Sequence, residues 1–515
     1  MSGHLFVVRG LLESVRHDVT IIPTASDFHL RAYWKPVLGG SLSGHEPTGW
    51  RTDCPPFARS AHPGFSRTWF LNVGRRGRGG TAEIVGRVEE LMRAVAQQVV
   101  SSEIGRSRPL VVLPVPGIGG GNMGGHRGDV VRQLVPALER VVSEHDLDVA
   151  LVIKDASVHA ATQHVRRSMA SSALTEELQR SAAELARQIR DGKLALFFGA
   201  GVSVGAGLPT WKGLLEQLAE RLSIAEGSLD DLSSQDQAQV IEMRSQKLGE
   251  SVSELIGKHT TPALSHALLA SFDCREAVTT NYDRLYETAV RATGSGVASV
   301  LPWESIGPEG RWVLKMHGDV ENTNSIVLTR SDFVRYDTLA RPAGALLQAM
   351  LLTKHVLIVG ASMTDDNVVR LAYEVNEYRR QSGRDEAYGT LIDVGTTSPM
   401  RELWEGQLSW LSMPGDSQEE RTRNLDIFLD AVSLRASTDA PWLLDERFVD
   451  MLGGDKIIAE RARRLFADLP DDPQWAPLRS AMLKLGVTGS SDDGMATATS
   501  GGDPTGRRPL RDRRR

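Results

Sequence analysis

The stretch "LALFFGAGVSVGAGLPTW", residues 194–211, runs from an apolar segment straight into a run crowded with glycine. A strand, a glycine-rich turn and a helix in that order place backbone N–H groups at a helix N-terminus, where the dipole favours anions. The same pattern also serves as a plain tight connection. The dinucleotide fingerprint G-x-G-x-x-G does not fit, because Gly199 and Gly201 take its first two places but Val204 stands at the third. The stretch is therefore either a phosphate cradle of another type or a simple turn.

Immediately upstream, "TEELQRSAAELARQIRDG" has helical apolar spacing, with Thr175 as N-cap and Gly192 as stop. Downstream, strands are expected in "EAVTTN", "RWVLKMHG", "SIVLT", "HVLIVGAS" and "GTLIDVG", joined to "KLALFFG" in an α/β unit over residues 175–415. Residues 1–168 form another alternating unit, with strands in "HLFVVRG", "DVTIIPTA", "PLVVLPVPG" and "DVALVIKD". Helices are expected in "TAEIVGRVEELMRAVAQQVVSS" and "RGDVVRQLVPALERVVSEH", and the proline-rich "GHEPTGWRTDCPPFARSAHPGFSRTW" reads as loop. Residues 416–487 read as mostly helical. Residues 488–515 have almost nothing apolar to bury and read as a disordered basic tail whose arginines are solvated.

Composition narrows the function classes. The 515 residues are 41% hydrophobic and 24% charged, as in soluble globular chains, and the net charge of −6 gives no global pull toward nucleic acid or membrane. Two cysteines, Cys54 and Cys274, supply neither a zinc module nor a disulfide framework. His159 and His164 are five apart, a spacing that suits no metal, and none is assigned. No apolar run is long enough to span a bilayer, and the N-terminus lacks a secretory pattern, so a cytoplasmic protein is expected.

Four segments then fall into a known order. Gly199-Ala200-Gly201, Ser203, Gly207, Pro209 and Trp211 resemble the sirtuin signature G-A-G-x-S-x-x-x-G-[IL]-P-x-[FW]. "VTTNYDRLYE" matches the T-x-N-x-D motif over a stretch that includes Thr280, Asn281 and Asp283, "VLKMHGDV" places His317 and Gly318 as in the histidine-glycine motif, and "VLIVGASMTDDNV" places Gly360 and Ser362 as in the G-x-S turn. Each alone also reads as an ordinary turn; their joint order is what resembles a sirtuin. The resemblance implies a Rossmann-type parallel sheet that uses NAD. It implies that the Gly199–Ser203 loop cradles the pyrophosphate, that Asp283 grips the carboxamide, and that Asn281 meets the ribose hydroxyls or a water. It further implies that His317 is the general base, that Trp211 covers the nicotinamide side and restricts water, that Thr280 belongs to the NAD-binding set, and that Gly360 and Ser362 meet the adenosine ribose.

The departures narrow it further. No cysteine follows the histidine-glycine motif, where a deacylating sirtuin carries its zinc module, and Lys212 stands where arginine is usual. The chain thus resembles the zinc-free sirtuin-like effectors of bacterial anti-phage systems, which pair the fold with a second domain and consume NAD. This implies an NAD glycohydrolase and a homo-oligomer. The alternatives are an NAD- or ADP-ribose-binding sensor without turnover, or a protein deacylase or ADP-ribosyltransferase. In the first unit, "RGLLESVRHDVTIIPTAS" and the glycine loop Gly117–Gly128 resemble a macrodomain in part, although Leu11-Leu12-Glu13 and Thr24-Ala25-Ser26 replace its usual acidic start and asparagines. That loop either binds a nucleotide-like ligand or phage-derived trigger, or is a surface loop without one.

Overall fold

The computed structural model describes residues 2–74, 80–119, 123–169, 174–245, 247–395 and 399–487. The expected disordered tail, residues 120–122 of the glycine loop and the expected domain boundary near residue 170 lie outside these.

Two parallel sheets organise the chain. The first contains β1 (Leu5–Arg9), β2 (Val19–Thr24), β3 (Phe57–Arg59), β4 (Thr68–Asn72), β5 (Leu110–Leu113) and β6 (Asp148–Ile153), in the order β1-β6-β5-β2-β4-β3. Only β3, on the edge, runs antiparallel to its neighbour. The second contains β7 (Leu194–Phe198), β8 (Glu276–Thr279), β9 (Ser299–Leu301), β10 (Trp312–Lys315), β11 (His355–Val359), β12 (Gly389–Asp393) and β13 (Leu408–Ser412). Its order is β13-β12-β11-β7-β8-β10-β9, and every pair is parallel. Runs such as "LALFF" and "LVVL" are buried throughout, as strands covered by helices on both faces must be. The α/β class with a Rossmann-type parallel sheet is the observed one.

Three expectations change. The proline-rich segment holds β3 and the first two residues of β4; "TWFLN" is wholly buried, and its short apolar run was masked by the turn residues around it. "SIVLT" is not a strand, because β10 already has β8 and β9 on its two edges. Val327 N–H instead donates to the His317 carbonyl, and Thr329 caps the next helix. β9 and β13 extend the sheet at its two edges.

The helix Glu176–Arg190 begins at Thr175, whose hydroxyl accepts from Leu178 N–H at 3.4 Å, and Gly192 follows its end at φ +65°. It packs on the helix Gln418–Ala436, which also meets β1 and the helices Leu264–Ala270 and Ala156–Met169. That helix is buried on most sides. One continuous core therefore joins Phe6 and Val152 of the first sheet to Leu196, Phe198, Phe428 and Leu429.

Charges buried with the helix are paired across the chain. Arg423 binds Asp148 at 2.7 Å, Arg106 binds Asp426 at 2.6 Å, and Arg166 binds Asp430 at 2.7 Å. Asp430 also meets His4 at 2.9 Å and accepts from Val7 N–H at 3.2 Å, so it covers part of the free edge of β1. Burial would raise the Asp430 carboxyl, but Arg166 and His4 outweigh it and hold the group well below the usual carboxylate range. Its contribution to stability is thus complete above the ordinary carboxylate pKa and is lost as pH falls below it.

Removing one partner of a buried pair strands the other, which typically costs about 3–5 kcal/mol. Asp430→Ala should lower the urea midpoint at pH 7 accordingly, read by circular dichroism. An unchanged midpoint would mean that the pairing does not hold the two sheets' shared core.

Candidate active site

The crossovers diverge at β7. From there the chain moves first to β8, β9 and β10 on one side, then through β11 to β12 and β13 on the other. In open parallel sheets the crevice beyond the strand ends at such a switch point is where ligands bind. The two loops flanking it carry the glycine motifs.

Those glycines are required by contact. Gly199 N–H donates to the Val359 carbonyl at 3.1 Å, and Gly201 N–H donates to the Gly360 carbonyl at 2.9 Å. A Cβ on Gly199 would lie 2.7 Å from the Gly360 oxygen, and one on Gly201 would lie 2.7 Å from Gly360 Cα. Gly360 has φ +64°, and a Cβ there would be 2.5 Å from the Val202 nitrogen. The N–H groups of Val202 and Ser203 are engaged within the turn by the carbonyls of Gly199 and Ala200. Gly207, at φ +91°, leaves room for the Arg16 guanidinium of the first unit, and Arg16 Nη1 donates to the Gly205 carbonyl at 3.3 Å.

Ser203 is the hub of a buried network. Its hydroxyl donates to Asp283 Oδ2 at 2.8 Å and accepts from Asn281 Nδ2 at 3.0 Å. His266 Nδ1 accepts from Ala263 N–H at 3.1 Å, which leaves the ring proton on Nε2, 3.3 Å from the serine oxygen. Burial, more than the neighbouring Lys315, lowers the His266 imidazole to about 4, while Asp283 opposes the shift. The ring is therefore neutral and donates. Asp283 Oδ1 accepts from Leu285 N–H at 3.0 Å, and Thr279 Oγ1, bonded to the Phe198 carbonyl at 2.8 Å, accepts from Asn281 N–H at 3.0 Å.

His317 stands at the end of β10, buried beside Trp211, Phe333 and Tyr336 with ring centroids 5.4–6.4 Å away. Its Nε2 is 3.2 Å from Asp365 Oδ2 without the alignment of a hydrogen bond. Asp365 also caps the helix Asp366–Gln381 by accepting from Val368 N–H at 3.0 Å. Burial would raise its carboxyl, but His317 and the helix N–H groups together lower it.

The expected residues thus assemble unequally. Ser203, Asn281 and Asp283 are bonded to one another, while Ala200, Pro209, Trp211 and Thr280 line the same cavity of about 50 Å³. Gly199, Gly201 and Gly360 form the floor where the loops cross. Ser362 is exposed, and its hydroxyl pairs with Thr364 at 2.6 Å. Lys212 is exposed beside Glu216. His266 and Asp365 were missed; "TDD" before a helix was a legible cap signal for the second, whereas nothing local marks the first. Among the described residues no cluster of three or more His, Cys, Asp or Glu could hold a metal, and no helix is long and apolar enough to cross a membrane.

The first sheet has its own switch point, between β2 and β5. A cavity of about 710 Å³ opens there, lined by Thr24, Asp27, His29, Arg31, Gly117 and Lys154 among others. This is within the range of small-molecule sites, roughly 300–1,000 Å³, whereas the Asn281 cavity holds about one water.

Residues 275–406 match the SIR2-like domain family. These residues form a SIR2-like domain. The chain is 29% identical over 210 residues to the NAD(+) hydrolase ThsA of Bacillus cereus (strain MSX-D12), which covers 38% of this chain and 44% of that protein. It is 29% identical over 203 residues to the NAD(+) hydrolase ThsA of Enterococcus faecium, covering 38% and 42%. It is 25% identical over 211 residues to defense-associated sirtuin 2 of Bacillus subtilis, covering 39% and 21%. The match spans less than half the length of each of these relatives. The SIR2-like domain thus includes β8 through β12, with Asn281, Asp283, His317 and Gly360 inside it.

Gly360→Ala in this domain should cost about 1–3 kcal/mol, because it forces a side chain into a left-handed, crowded position; a thermal scan at wild-type midpoint would contradict the loop crossing. His266 binds its proton more weakly when folded than an exposed histidine near 6.5, so its contribution is complete above about 6.5 and declines as pH falls toward 4. His266→Gln should therefore flatten the loss of stability between those pH values. An equally steep profile would remove His266 from the buried network.

Proposed function

We propose that this chain is an NAD glycohydrolase that releases nicotinamide and ADP-ribose, acting in anti-phage defence through NAD depletion. The observation that carries the reading is a set of buried polar atoms without hydrogen-bond partners: Asn281 Oδ1 and Trp211 Nε1 on residues that line the cavity, and both ring nitrogens of His317, which packs against Trp211 rather than lining the cavity itself. Buried polar atoms are nearly always satisfied, so a group of them beside a cavity points to a polar ligand. The names of the relatives, NAD(+) hydrolase ThsA, support NAD as that ligand.

In this reading the C1′–N glycosidic bond breaks and its electron pair neutralises the pyridinium nitrogen of nicotinamide. Water oxygen bonds to C1′, where oxocarbenium character develops, and its proton passes to His317. Asp365 stabilises the resulting imidazolium. Asn281 Oδ1 holds the ribose hydroxyls or the attacking water, while Ser203 and His266 fix its amide from behind. Asp283 keeps lone pairs beyond its two bonds and accepts the carboxamide N–H. The Gly199–Ser203 loop lets the pyrophosphate approach the backbone closely, and Gly360 and Ser362 lie toward the adenosine ribose. Entry of NAD requires the Pro209–Trp211 turn to swing outward, since nicotinamide exceeds a cavity of about 50 Å³.

The larger cavity of the first unit takes a nucleotide-like trigger, a role its partial resemblance to a macrodomain supports. The segment after β1 offers a route between the two sites. Gly10 N–H donates to the Ile153 carbonyl at the cavity wall, Arg9 N–H to Ser271 Oγ, and Arg16 to Gly205 beside the glycine loop.

Incubation with NAD, followed by chromatography of nicotinamide and ADP-ribose with and without ADP-ribose-like nucleotides, tests this. His317→Ala and Asn281→Ala should each reduce kcat at least about 100-fold, as loss of a general base does. Asp365→Asn should reduce it about tenfold. Variants that match the wild-type rate would place the chemistry elsewhere.

A further inference from the structure

Lys315 is the last residue of β10, two positions before His317, and only 3% of it is exposed. A lysine with so little access to water needs a reason. Its ammonium lies 3.0 Å from Glu287 Oε1 and 3.6 Å from Asp319 Oδ2, both carboxylates being equally buried. Asp319 is already held by Arg284, whose Nε is 2.9 Å from Oδ1. Glu287 sits in the first turn of the helix Leu285–Thr293, immediately after the Asn281–Asp283 loop. The carboxylates therefore fix where the ammonium can be.

What the ammonium does from there is donate to the backbone. Lys315 Nζ donates to the Asn281 carbonyl at 3.4 Å and also to the Asp283 carbonyl. These two carbonyls belong to the very residues whose side chains reach Ser203, and they bracket Tyr282, whose hydroxyl is tied to the Val327 carbonyl at 2.9 Å. Loop carbonyls outside a sheet have no ladder to satisfy them, and an unmade buried hydrogen bond is unfavourable. One cation thus closes the turn from below while its own strand delivers His317 from the side.

We propose that Lys315, anchored by Glu287, is a positioning residue that sets the orientation of Asn281 and Asp283 relative to His317. The role rests on the NAD glycohydrolase reading for its effect on rate, but not for its effect on the loop. A purely structural role and a positioning role separate in a pair of variants. Lys315→Met alone leaves Glu287 buried without its cation, which destabilises for reasons unrelated to the loop. Lys315→Met combined with Glu287→Leu removes both charges, and replacing a buried ion pair by apolar residues is often neutral. The double variant therefore recovers folding without restoring a donor to the two carbonyls.

The experiment measures three things on the full chain: the thermal midpoint, amide hydrogen exchange in residues 280–286, and kcat and KM for nicotinamide release. The double variant should return to within a few degrees of the wild-type midpoint, yet exchange at least tenfold faster in residues 280–286. Its kcat should stay at least tenfold low, with KM moved less than threefold. Wild-type exchange and kcat in the double variant would overturn the proposal and leave Lys315 a stability residue. A wild-type chain that releases no nicotinamide even with nucleotide added would count against the NAD reading alone. The exchange of residues 280–286 would then decide Lys315 by itself.

Discussion

Two loops leave neighbouring parallel strands at the same height and pass so closely that neither can carry a side chain. At the end of β7 the chain turns through Gly199 and Gly201, and at the end of β11 it turns through Gly360 in the left-handed region. Each approach is backbone on backbone, closer than a Cβ can tolerate. This contact fixes the direction in which the following turn leaves the sheet, and so places Ser203 beneath the strand ends. The polar network, the cavity and the position of Trp211 all depend on it. The glycines are then explained by steric exclusion, before any anion is invoked.

The network built on that floor is a set of polar groups that satisfy one another and leave a few atoms over. The Ser203 hydroxyl has one proton and two lone pairs, and Asp283, Asn281 and His266 use all three. This holds the amide nitrogen of Asn281 on Ser203 and leaves the amide oxygen without a partner. A neutral His266 is part of the same requirement, since a charged ring could not accept from Ala263. The network is incomplete at the Asn281 oxygen, which has no partner on a residue that lines the cavity.

The sequence made the second sheet legible because its central strands are short apolar runs that end in residues with few conformational alternatives: glycine at 199 and 360, and histidine-glycine at 317 and 318. The order of those endings carried the family resemblance, and the SIR2-like match over residues 275–406 bears out the family on the later three of its four segments. Strand β4 was hidden because "TWFLN" is five residues long, between a proline-rich segment and a run rich in glycine and arginine, too short for periodicity to identify. "SIVLT" misled for the opposite reason: its β-branched residues fit a strand, but no free edge was available beside β10. His266 lies 63 positions from Ser203, and no local pattern announces a contact of that range. Lys315 read as one residue of an apolar strand, and only the burial of its ammonium reveals two carbonyls in need of a donor.

The helix Gln418–Ala436 bears on how the chain acquires its structure during synthesis. Strand β1 is made long before this helix, yet its free edge and His4 are met by Asp430, 426 positions later than His4. At roughly 5–20 residues per second, the N-terminal strand waits on the order of 20–85 s for that carboxylate. Until then Arg166 has the charge of Glu139, 3.8 Å away, and Asp148 that of Arg106, at 3.3 Å, in place of the closer pairs of the finished core. The two α/β units are consecutive in sequence but are not completed consecutively. Both reach their final packing only when the helix Gln418–Ala436 arrives between them, after every strand of the two sheets has emerged.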